Sequence, residues 1–95
     1  MGKFTVIVSE RAQKDLLQIQ KSGDKASIKK IEHIISELYM HPETGTGKPE
    51  RLKFDLTGYW SRRINRKDRL IYFIENEIIT VTVVSALAIM MISNS

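Results

Sequence analysis

Apolar residues in this sequence recur at a helical period before Pro42 and at a strand period after Gly58. Ahead of the helical region, a β-branched run at residues 4–8 predicts a short strand. Ser9 follows as a suitable helix N-cap, and apolar residues three or four positions apart predict a first helix that ends at about Gln20. A strand, then helices, then strands is an order expected of an α+β domain.

A second helix is predicted between Asp24, a suitable N-cap, and Pro42, which cannot continue a helix. Its apolar stripe consists of Ile28, Ile31, Ile34, Ile35 and Leu38. Its charged residues are predicted to face solvent: Lys25, Lys29, Lys30, Glu32 and Glu37. Because only a short turn around Gly23 separates the two helices, we expect a helical hairpin that lays its apolar faces on a sheet.

The second half of the chain is predicted to form strands. They lie at residues 59–65, 69–75 and 78–84, with tight turns at 66–67 and 76–77. Residues 43–49 form a turn-rich connector, and the alternation of Leu52, Phe54 and Leu56 predicts a short extended segment. The predicted fold is therefore a two-layer α+β domain of order β-α-α-β-β-β, with the helical hairpin packed on a mainly antiparallel sheet.

Length and composition exclude several classes of protein. Ninety-five residues suffice for one small domain, and the absence of cysteine excludes a disulfide framework and a thiolate metal site. No metal-ligand cluster or phosphate-binding glycine loop is present, so neither a metal nor a cofactor is expected. No apolar run approaches the roughly 20 residues of a membrane helix, and the first residues do not resemble a signal peptide. A cytoplasmic protein without membrane contact is expected.

Positive charge is concentrated between Lys48 and Arg69. That segment holds eight basic residues and three acids, a balance of +5 against +4 for the whole chain. It also holds the only tryptophan and one of the three tyrosines. Basic groups neutralise phosphate while aromatic rings stack on bases, so nucleic acid is the expected partner.

Glu50 is the candidate general base in this basic segment. It follows Gly47-Lys48-Pro49, and Pro49 restricts the backbone beside it. A carboxylate on a stiffened loop among basic residues suits proton abstraction next to a phosphate. A solvated loop glutamate is the alternative.

Arg62, Arg63 and Arg69 are candidate phosphate ligands, since guanidinium groups suit a phosphate and its developing charge. Because strand side chains alternate, Arg62 and Arg63 are expected on opposite faces, one toward a groove and the other toward solvent or an ion pair. The face of Arg69 depends on whether the turn at 66–67 contains a bulge, and the sequence leaves this open. A salt-bridged basic surface is the alternative for all three.

The aromatic and histidine residues give weaker indications. Tyr59 and Trp60 are adjacent, so one is expected in the core and the other facing outward. His33 and His41 are candidate general acids, but both lie outside the basic segment.

The motifs of the basic segment resemble those of the YoeB branch of the RelE/ParE toxin superfamily. They are Gly47-Lys48-Pro49-Glu50, Leu52-Lys53, Trp60-Ser61-Arg62-Arg63-Ile64 and Arg69-Leu70-Ile71-Tyr72. The resemblance implies a RelE-like fold and the toxin of a type II toxin–antitoxin pair. Such a toxin is a ribosome-dependent endonuclease that cuts mRNA through attack of a ribose 2′-OH on the neighbouring phosphate. The implied partners are a cognate antitoxin, mRNA on the ribosome and a second copy of the chain in a homodimer.

Carried over residue by residue, the resemblance makes Glu50 the general base and Arg69 the group that stabilises charge on the phosphate. Lys53 and Arg63 would bind or orient the RNA. The full set of residues predicted to contact RNA is Lys48, Lys53, Arg62, Arg63 and Arg66. We expect Glu50 and Arg69 to line one cleft with Lys53 and one arginine of the 62–63 pair.

The end of the chain departs from the family. Family members end in a His-Tyr pair whose His is the general acid, whereas residues 86–95 form an apolar tail and no His or Tyr follows Tyr72. Residues 1–85 are therefore predicted to be the toxin domain, in a chain that is catalytically impaired. A non-catalytic protein that keeps the fold and binds antitoxin or RNA is the alternative, and a generic basic RNA-binding module ranks below both.

A frameshift in the gene is our hypothesis for the tail. If residues 88–94 are encoded as GCC-ATT-ATG-ATG-ATA-AGT-AAY, reading from the third base of the Ala88 codon gives His-Tyr-Asp-Asp-Lys-stop. The two consecutive methionines fix ATG-ATG, which supplies the GAT at the centre of the shifted frame. Loss of one base would thus have replaced a His-Tyr end by apolar residues.

Overall fold

The computed structural model describes residues 3–86, which form two helices packed on one face of a five-stranded sheet. The elements are β1 Thr5–Val8, α1 Glu10–Lys21, α2 Lys25–Leu38, β2 Glu50–Arg51, β3 Trp60–Arg63, β4 Arg69–Glu75 and β5 Thr80–Ser85, with 3-10 turns at Phe54–Leu56 and Asn76–Ile78. The strand order is β1-β5-β4-β3-β2; β1 is parallel to β5 and the other pairs are antiparallel. The predicted two-layer α+β fold is confirmed.

Both helices begin at the predicted caps. The Ser9 hydroxyl accepts a hydrogen bond from the backbone N–H of Ala12 at 3.1 Å, and the Asp24 carboxylate accepts one from the backbone N–H of Ser27 at 3.1 Å. These bonds satisfy N–H groups that have no partner within the helix. The hydroxyl of Ser27 also donates to Asp24, and this bond is the main cause that lowers the pKa of Asp24 from its ordinary 3.8.

The core lies between the helices and one face of the sheet. Its buried members include Ala12, Ile19, Ile31, Ile34 and Leu38 from the helices and Leu70, Tyr72, Val81 and Val83 from the strands. In β4 these residues alternate with Arg69, Ile71 and Phe73, which therefore point to the opposite side of the sheet. We call this opposite side the outer face.

Several predicted boundaries are wrong. The two-residue strand β2 was not predicted, and the alternating segment around Phe54 forms a 3-10 turn instead of an extended segment. Phe54 adopts a φ of 57°, and its carbonyl accepts a hydrogen bond from the backbone N–H of Thr57 at 3.0 Å, so the chain coils there. The helix α2 ends at Leu38, four residues before Pro42, where it was predicted to stop.

The strands β3 and β5 are shorter than predicted. β3 ends at Arg63 because the side-chain oxygen of Asn65 accepts hydrogen bonds from the N–H groups of Lys67 and Asp68 and closes the turn. β5 begins at Thr80, after Ile79 adopts a left-handed φ of 50°. Within residues 3–86, no helix has the length and apolar character needed to span a membrane.

Candidate active site

The outer face brings Glu50 and Arg69 together. Glu50 on β2 pairs with Ser61 on β3, and Arg63 on β3 pairs with Arg69 on β4. Arg69 Nη1 donates to Glu50 Oε1 at 3.0 Å and to Ser61 Oγ at 3.3 Å. Glu50 and Arg69 therefore lie together, as the prediction of one cleft requires, and the side chain of Arg69 is on the same face of the sheet as that of Arg63. That Lys53 lines the same cleft stays a prediction.

The Glu50–Arg69 pair is accessible to a ligand. The side chain of Glu50 is 60% exposed and that of Arg69 is 28% exposed. An ion pair with this exposure contributes at most about 1 kcal/mol, so an anionic ligand can separate its members at little cost. Once separated, the carboxylate can accept a proton and the guanidinium can bind phosphate oxygens.

Four of the five residues predicted to contact RNA are exposed: Lys48, Lys53, Arg63 and Arg66. Arg63 lies opposite Arg69 on the outer face, and Lys53 starts the turn that follows β2. Lys48 adopts a left-handed φ of 52° directly before Pro49 and Glu50. A non-glycine residue in this conformation stores strain, which is frequent at functional sites. The structure thus places exposed positive charge on the segments that carry Glu50.

Arg62 does not fit the prediction that it contacts RNA. Its side chain is 0% exposed, and its guanidinium donates to Glu37 Oε1 at 2.6 Å and to the Tyr72 hydroxyl at 3.1 Å. It also donates to three backbone carbonyls, those of His41, Thr44 and Thr46. With a carboxylate and four other oxygens around it, the guanidinium has no free face for a phosphate. Arg62 and Arg63 do point to opposite faces, as the strand alternation predicted.

This buried arginine holds the connector that leads to Glu50. The carboxylate of Glu37 also accepts from the backbone N–H of Thr46 at 2.8 Å and from its hydroxyl at 2.9 Å. The backbone carbonyl of Gly47 accepts from the N–H of Arg63 at 2.7 Å. The connector is therefore fixed to both α2 and β3 just ahead of Glu50.

The placement of Glu37 on the solvent face of α2 was wrong, since its side chain is only 16% exposed. Burial on its own raises the pKa of Glu37, but the hydrogen bonds from Thr46 and Arg62 outweigh it and lower the pKa from the ordinary 4.5. The carboxylate is therefore charged at neutral pH and balances the buried guanidinium.

Tyr72 links this network to the core. Its hydroxyl donates to the carbonyl of Pro42 at 2.6 Å, and burial is the main cause that raises its pKa from the ordinary 10.0. The ring of Trp60 stacks on that of Tyr72 with centroids 6.5 Å apart, while Tyr59 contacts Phe73 on the outer face. The prediction that one of the two adjacent aromatic residues packs inward and the other outward is confirmed.

Neither histidine lies at the candidate site. His33 Nε2 is 3.2 Å from Glu37 Oε2 on α2, and His41 Nδ1 is 3.0 Å from the carbonyl of Thr44. Both contacts are with the helix and connector, away from the outer face. Among residues 3–86, no three His, Asp or Glu side chains come together as metal ligands.

Ser85, the last residue of β5, lies in line with Glu50 across the sheet. Glu50 pairs with Ser61, Ser61 with Ile71, and Ile71 with Ser85. The hydroxyl of Ser85 is buried and has no hydrogen-bond partner among the described residues. The predicted apolar tail from residue 87 onward lies outside the described residues.

Sequence reasoning missed two contributors to the site. Ser61 lies two positions before Arg63, so strand alternation alone could have placed it on the same face. Glu37 gave no signal, because its partner Arg62 is 25 residues away in the chain and its helical position looked exposed.

Comparisons with known proteins agree with one another. The family model of the YoeB-like toxin of bacterial type II toxin–antitoxin systems matches residues 8–86. A YoeB toxin of Escherichia coli is 43% identical over 72 residues, which make up 76% of this chain and 84% of that toxin.

Two solved structures from Staphylococcus aureus have the same fold. One is a YoeB dimer, with a TM-score of 0.75 and 34% identity over 90% of this chain and 95% of that chain. The other is a YoeB–YefM complex, with a TM-score of 0.73 and 33% identity over 88% of this chain and 94% of that chain. The match to the family model includes Glu50 and Arg69.

Proposed function

Because the chain belongs to the YoeB-like toxins of bacterial type II toxin–antitoxin systems, we propose that it carries the site of a ribosome-dependent mRNA endonuclease from which the general acid is missing. The observation that carries the proposal is the contact of Glu50 with Arg69, a carboxylate and a guanidinium 3.0 Å apart whose side chains are 60% and 28% exposed. The exposed side chains of Lys48, Lys53 and Arg63 supply further charge for the RNA backbone.

In the proposed reaction, Glu50 takes the proton of a ribose 2′-OH, and the 2′ oxygen forms a bond to the adjacent phosphorus. The bond between phosphorus and the 5′ oxygen breaks, which leaves a 2′,3′-cyclic phosphate on one fragment and a 5′ oxygen on the other. Arg69 binds the non-bridging oxygens, where negative charge increases in the transition state. The nucleophile belongs to the substrate and is held beside the phosphorus, so the protein has to supply only the base and the charge.

The 5′ oxygen needs a proton as it leaves. Residues 87–95 contain no ionisable side chain, and the residues that the family places there, His and Tyr, are absent. Loss of a general acid lowers the rate by about 10²–10⁴-fold. The chain is therefore expected to bind its substrate normally and to cleave it slowly.

The proposed partners follow from the family. A YoeB of Staphylococcus aureus has been solved as a dimer and in complex with YefM, and we infer a homodimer and a cognate antitoxin for this chain as well. An antitoxin segment that is acidic would compete with RNA for the positive outer face, so its binding should weaken as salt is added. Action on mRNA at the ribosome places the protein in the cytoplasm.

Cleavage of a message on purified ribosomes tests the proposal. The unchanged chain should cut slowly and leave a 2′,3′-cyclic phosphate, and Glu50→Gln should abolish the cut. Glu77→Gln removes an exposed acid in the turn between β4 and β5 and should cleave at the unchanged rate. Equal cleavage by the unchanged chain and Glu50→Gln would refute the assignment of the base.

A non-catalytic antitoxin-binding protein is the second candidate, and the apolar tail favours it. The same assay separates the two functions. Binding to an antitoxin without any cut above the level of Glu50→Gln would establish the second candidate.

A further inference from the structure

Two aromatic rings on the outer face lie outside the core. Tyr59 and Phe73 contact each other edge to face, with centroids 5.7 Å apart and planes at 83°. Their immediate neighbours Trp60 and Ile74 pack against the core from the other side of the sheet. Tyr59 and Phe73 are themselves partly buried, yet neither belongs to the residues packed against that core. The core between helices and sheet therefore does not account for this pair.

The pair lies one row along the strands from the Glu50 site. Phe73 is two residues after Ile71 on β4, and Tyr59 directly precedes β3, two residues before Ser61. The contact between the two rings places Tyr59 on the same face as Phe73. Residues two apart in a strand share a face and lie about 7 Å apart. Arg69 contacts Glu50 and Ser61 from the other side of the row formed by Glu50, Ser61 and Ile71, away from the two rings. The rings and the cationic groups thus flank Glu50 from two sides.

A cavity adjoins the ring of Tyr59. A cavity of about 240 Å³ is lined by Tyr59, Arg51, Leu52, Thr57, Gly58 and Trp60. Arg51 pairs with Trp60, and its guanidinium lies 5.3 Å from the centre of the Trp60 ring, so these two residues line the side of the cavity that faces the helices, while Tyr59 lines the other side. Aromatic rings and arginine planes are the groups on which unpaired bases stack.

We propose that Tyr59 and Phe73 form the subsite for a nucleobase next to the scissile phosphate. The proposal rests on the proposed function, because it assumes that the phosphate binds between Glu50 and Arg69. A base stacked on Tyr59 fixes the nucleotide on one side of the phosphate, while Arg69 and Arg63 bind the backbone on the other. The subsite thereby aligns the 2′-OH with the phosphorus, and because every base has a stackable face it tolerates more than one base.

The test measures coupling between the base and the ring. Ribosomes are programmed with a short message whose ribose at the scissile position is 2′-deoxy, so that it cannot be cut. A second set of messages lacks one base on either side of the scissile phosphate. The dissociation constant is measured for the unchanged chain, for Tyr59→Leu and Phe73→Leu, and for Tyr39→Leu, which removes an exposed ring at the end of α2.

The unchanged chain should bind one of the abasic messages about 5- to 150-fold more weakly than the intact message, the range for loss of one stacked base. Tyr59→Leu should weaken binding of the intact message by a similar factor and show little further loss on the abasic one. Tyr59→Phe keeps the ring and should bind like the unchanged chain, and Tyr39→Leu should do the same.

Three results would overturn the subsite. Abasic messages that bind the unchanged chain as tightly as the intact one exclude a stacked base without any substitution in the protein. Equal abasic losses in the unchanged chain and in Tyr59→Leu show that base and ring act independently. If Tyr39→Leu binds as weakly as Tyr59→Leu, the loss is a general effect of removing a ring.

A different result would test the proposed function itself. If the unchanged chain binds ribosomes equally well with and without a message, the proposed function fails, and the subsite fails with it.

Discussion

Replacing Glu37 by Gln should destabilise the protein strongly, because it leaves the guanidinium of Arg62 buried without a counter-charge. The side chain of Arg62 is 0% exposed and that of Glu37 is 16% exposed. Gln has nearly the same shape as Glu, so the change removes the charge and leaves the packing in place.

The expected loss follows from the burial of the pair. Removing one partner of a buried ion pair costs about 3–5 kcal/mol. Glu37 retains some exposure, which places the cost at the lower end, about 3 kcal/mol. A domain of this size has a free energy of unfolding of roughly 5–14 kcal/mol, so the loss is a large share. The melting temperature should fall by about 12–24 °C.

Urea unfolding followed by the fluorescence of Trp60, the only tryptophan, measures the effect. The matched control is Glu32→Gln, an exposed acid on the same helix, whose effect should stay within about 0.5 kcal/mol. A loss from Glu37→Gln of less than about 1 kcal/mol at pH 7 would refute the reasoning.

The dependence on pH gives an independent check. Although burial opposes it, hydrogen bonding from Thr46 and Arg62 lowers the pKa of Glu37 in the folded state. The folded protein therefore binds fewer protons at this group than the unfolded chain does, and the stabilisation is present above the unfolded pKa. It is lost as the pH falls through the lowered folded pKa. The difference between the unchanged chain and Glu37→Gln should accordingly shrink below pH 4.5, and a difference that stays constant would contradict the account.

Three further predictions concern the loops and the tail. Gly47→Ala should lower the free energy of unfolding in urea by about 1–3 kcal/mol more than Gly23→Ala does. Both glycines have a positive φ, but only an added Cβ at Gly47 would lie 2.8 Å from the carbonyl oxygen of Arg63, whereas one at Gly23 would meet no atom within 4 Å. Equal losses of stability in the two alanine variants would show that the chain shifts to relieve the contact between the new Cβ and the Arg63 carbonyl. Phe54→Asn should raise the free energy of unfolding by about 1 kcal/mol, because Phe54 is 87% exposed and asparagine tolerates the φ of 57° at this position. If the Asn variant is no more stable than Phe54→Ala, the backbone at this position is not strained. Repair of the reading frame before residue 88 should restore growth arrest on expression, and codons that cannot encode His-Tyr in the other frame would exclude the frameshift.

The sequence was sufficient for the parts of the site that depend on strand alternation. Arg62 and Arg63 had to point to opposite faces, and they do. Which of them is buried depends on the acid that meets it across the fold, and Glu37 lies on a helix 25 residues earlier. A local pattern contains no information on such a pair, so Arg62 was wrongly assigned to the RNA.

The contact between Glu50 and Arg69 could be predicted only in part. Motif resemblance and charge placed both residues at one site, but the short strand β2 that sets their register was missed. Two residues give too little periodicity to be recognised as a strand. The turn at Phe54 was also missed, because a left-handed phenylalanine runs against the preference of the residue type.

Cleavage of a message with sulfur in place of the 5′ bridging oxygen tests the central claim, a complete base and phosphate site that lacks a general acid. A thiol has a pKa of about 8.5, far below that of an alcohol, so the thiolate leaves without a proton. On ribosomes, the unchanged chain should cut the sulfur message faster than the oxygen message. The ratio of the two rates should approach the factor of about 10²–10⁴ by which a missing general acid slows cleavage, and Glu50→Gln should cut neither message. Equal rates of cleavage of the two messages by the unchanged chain would contradict the account.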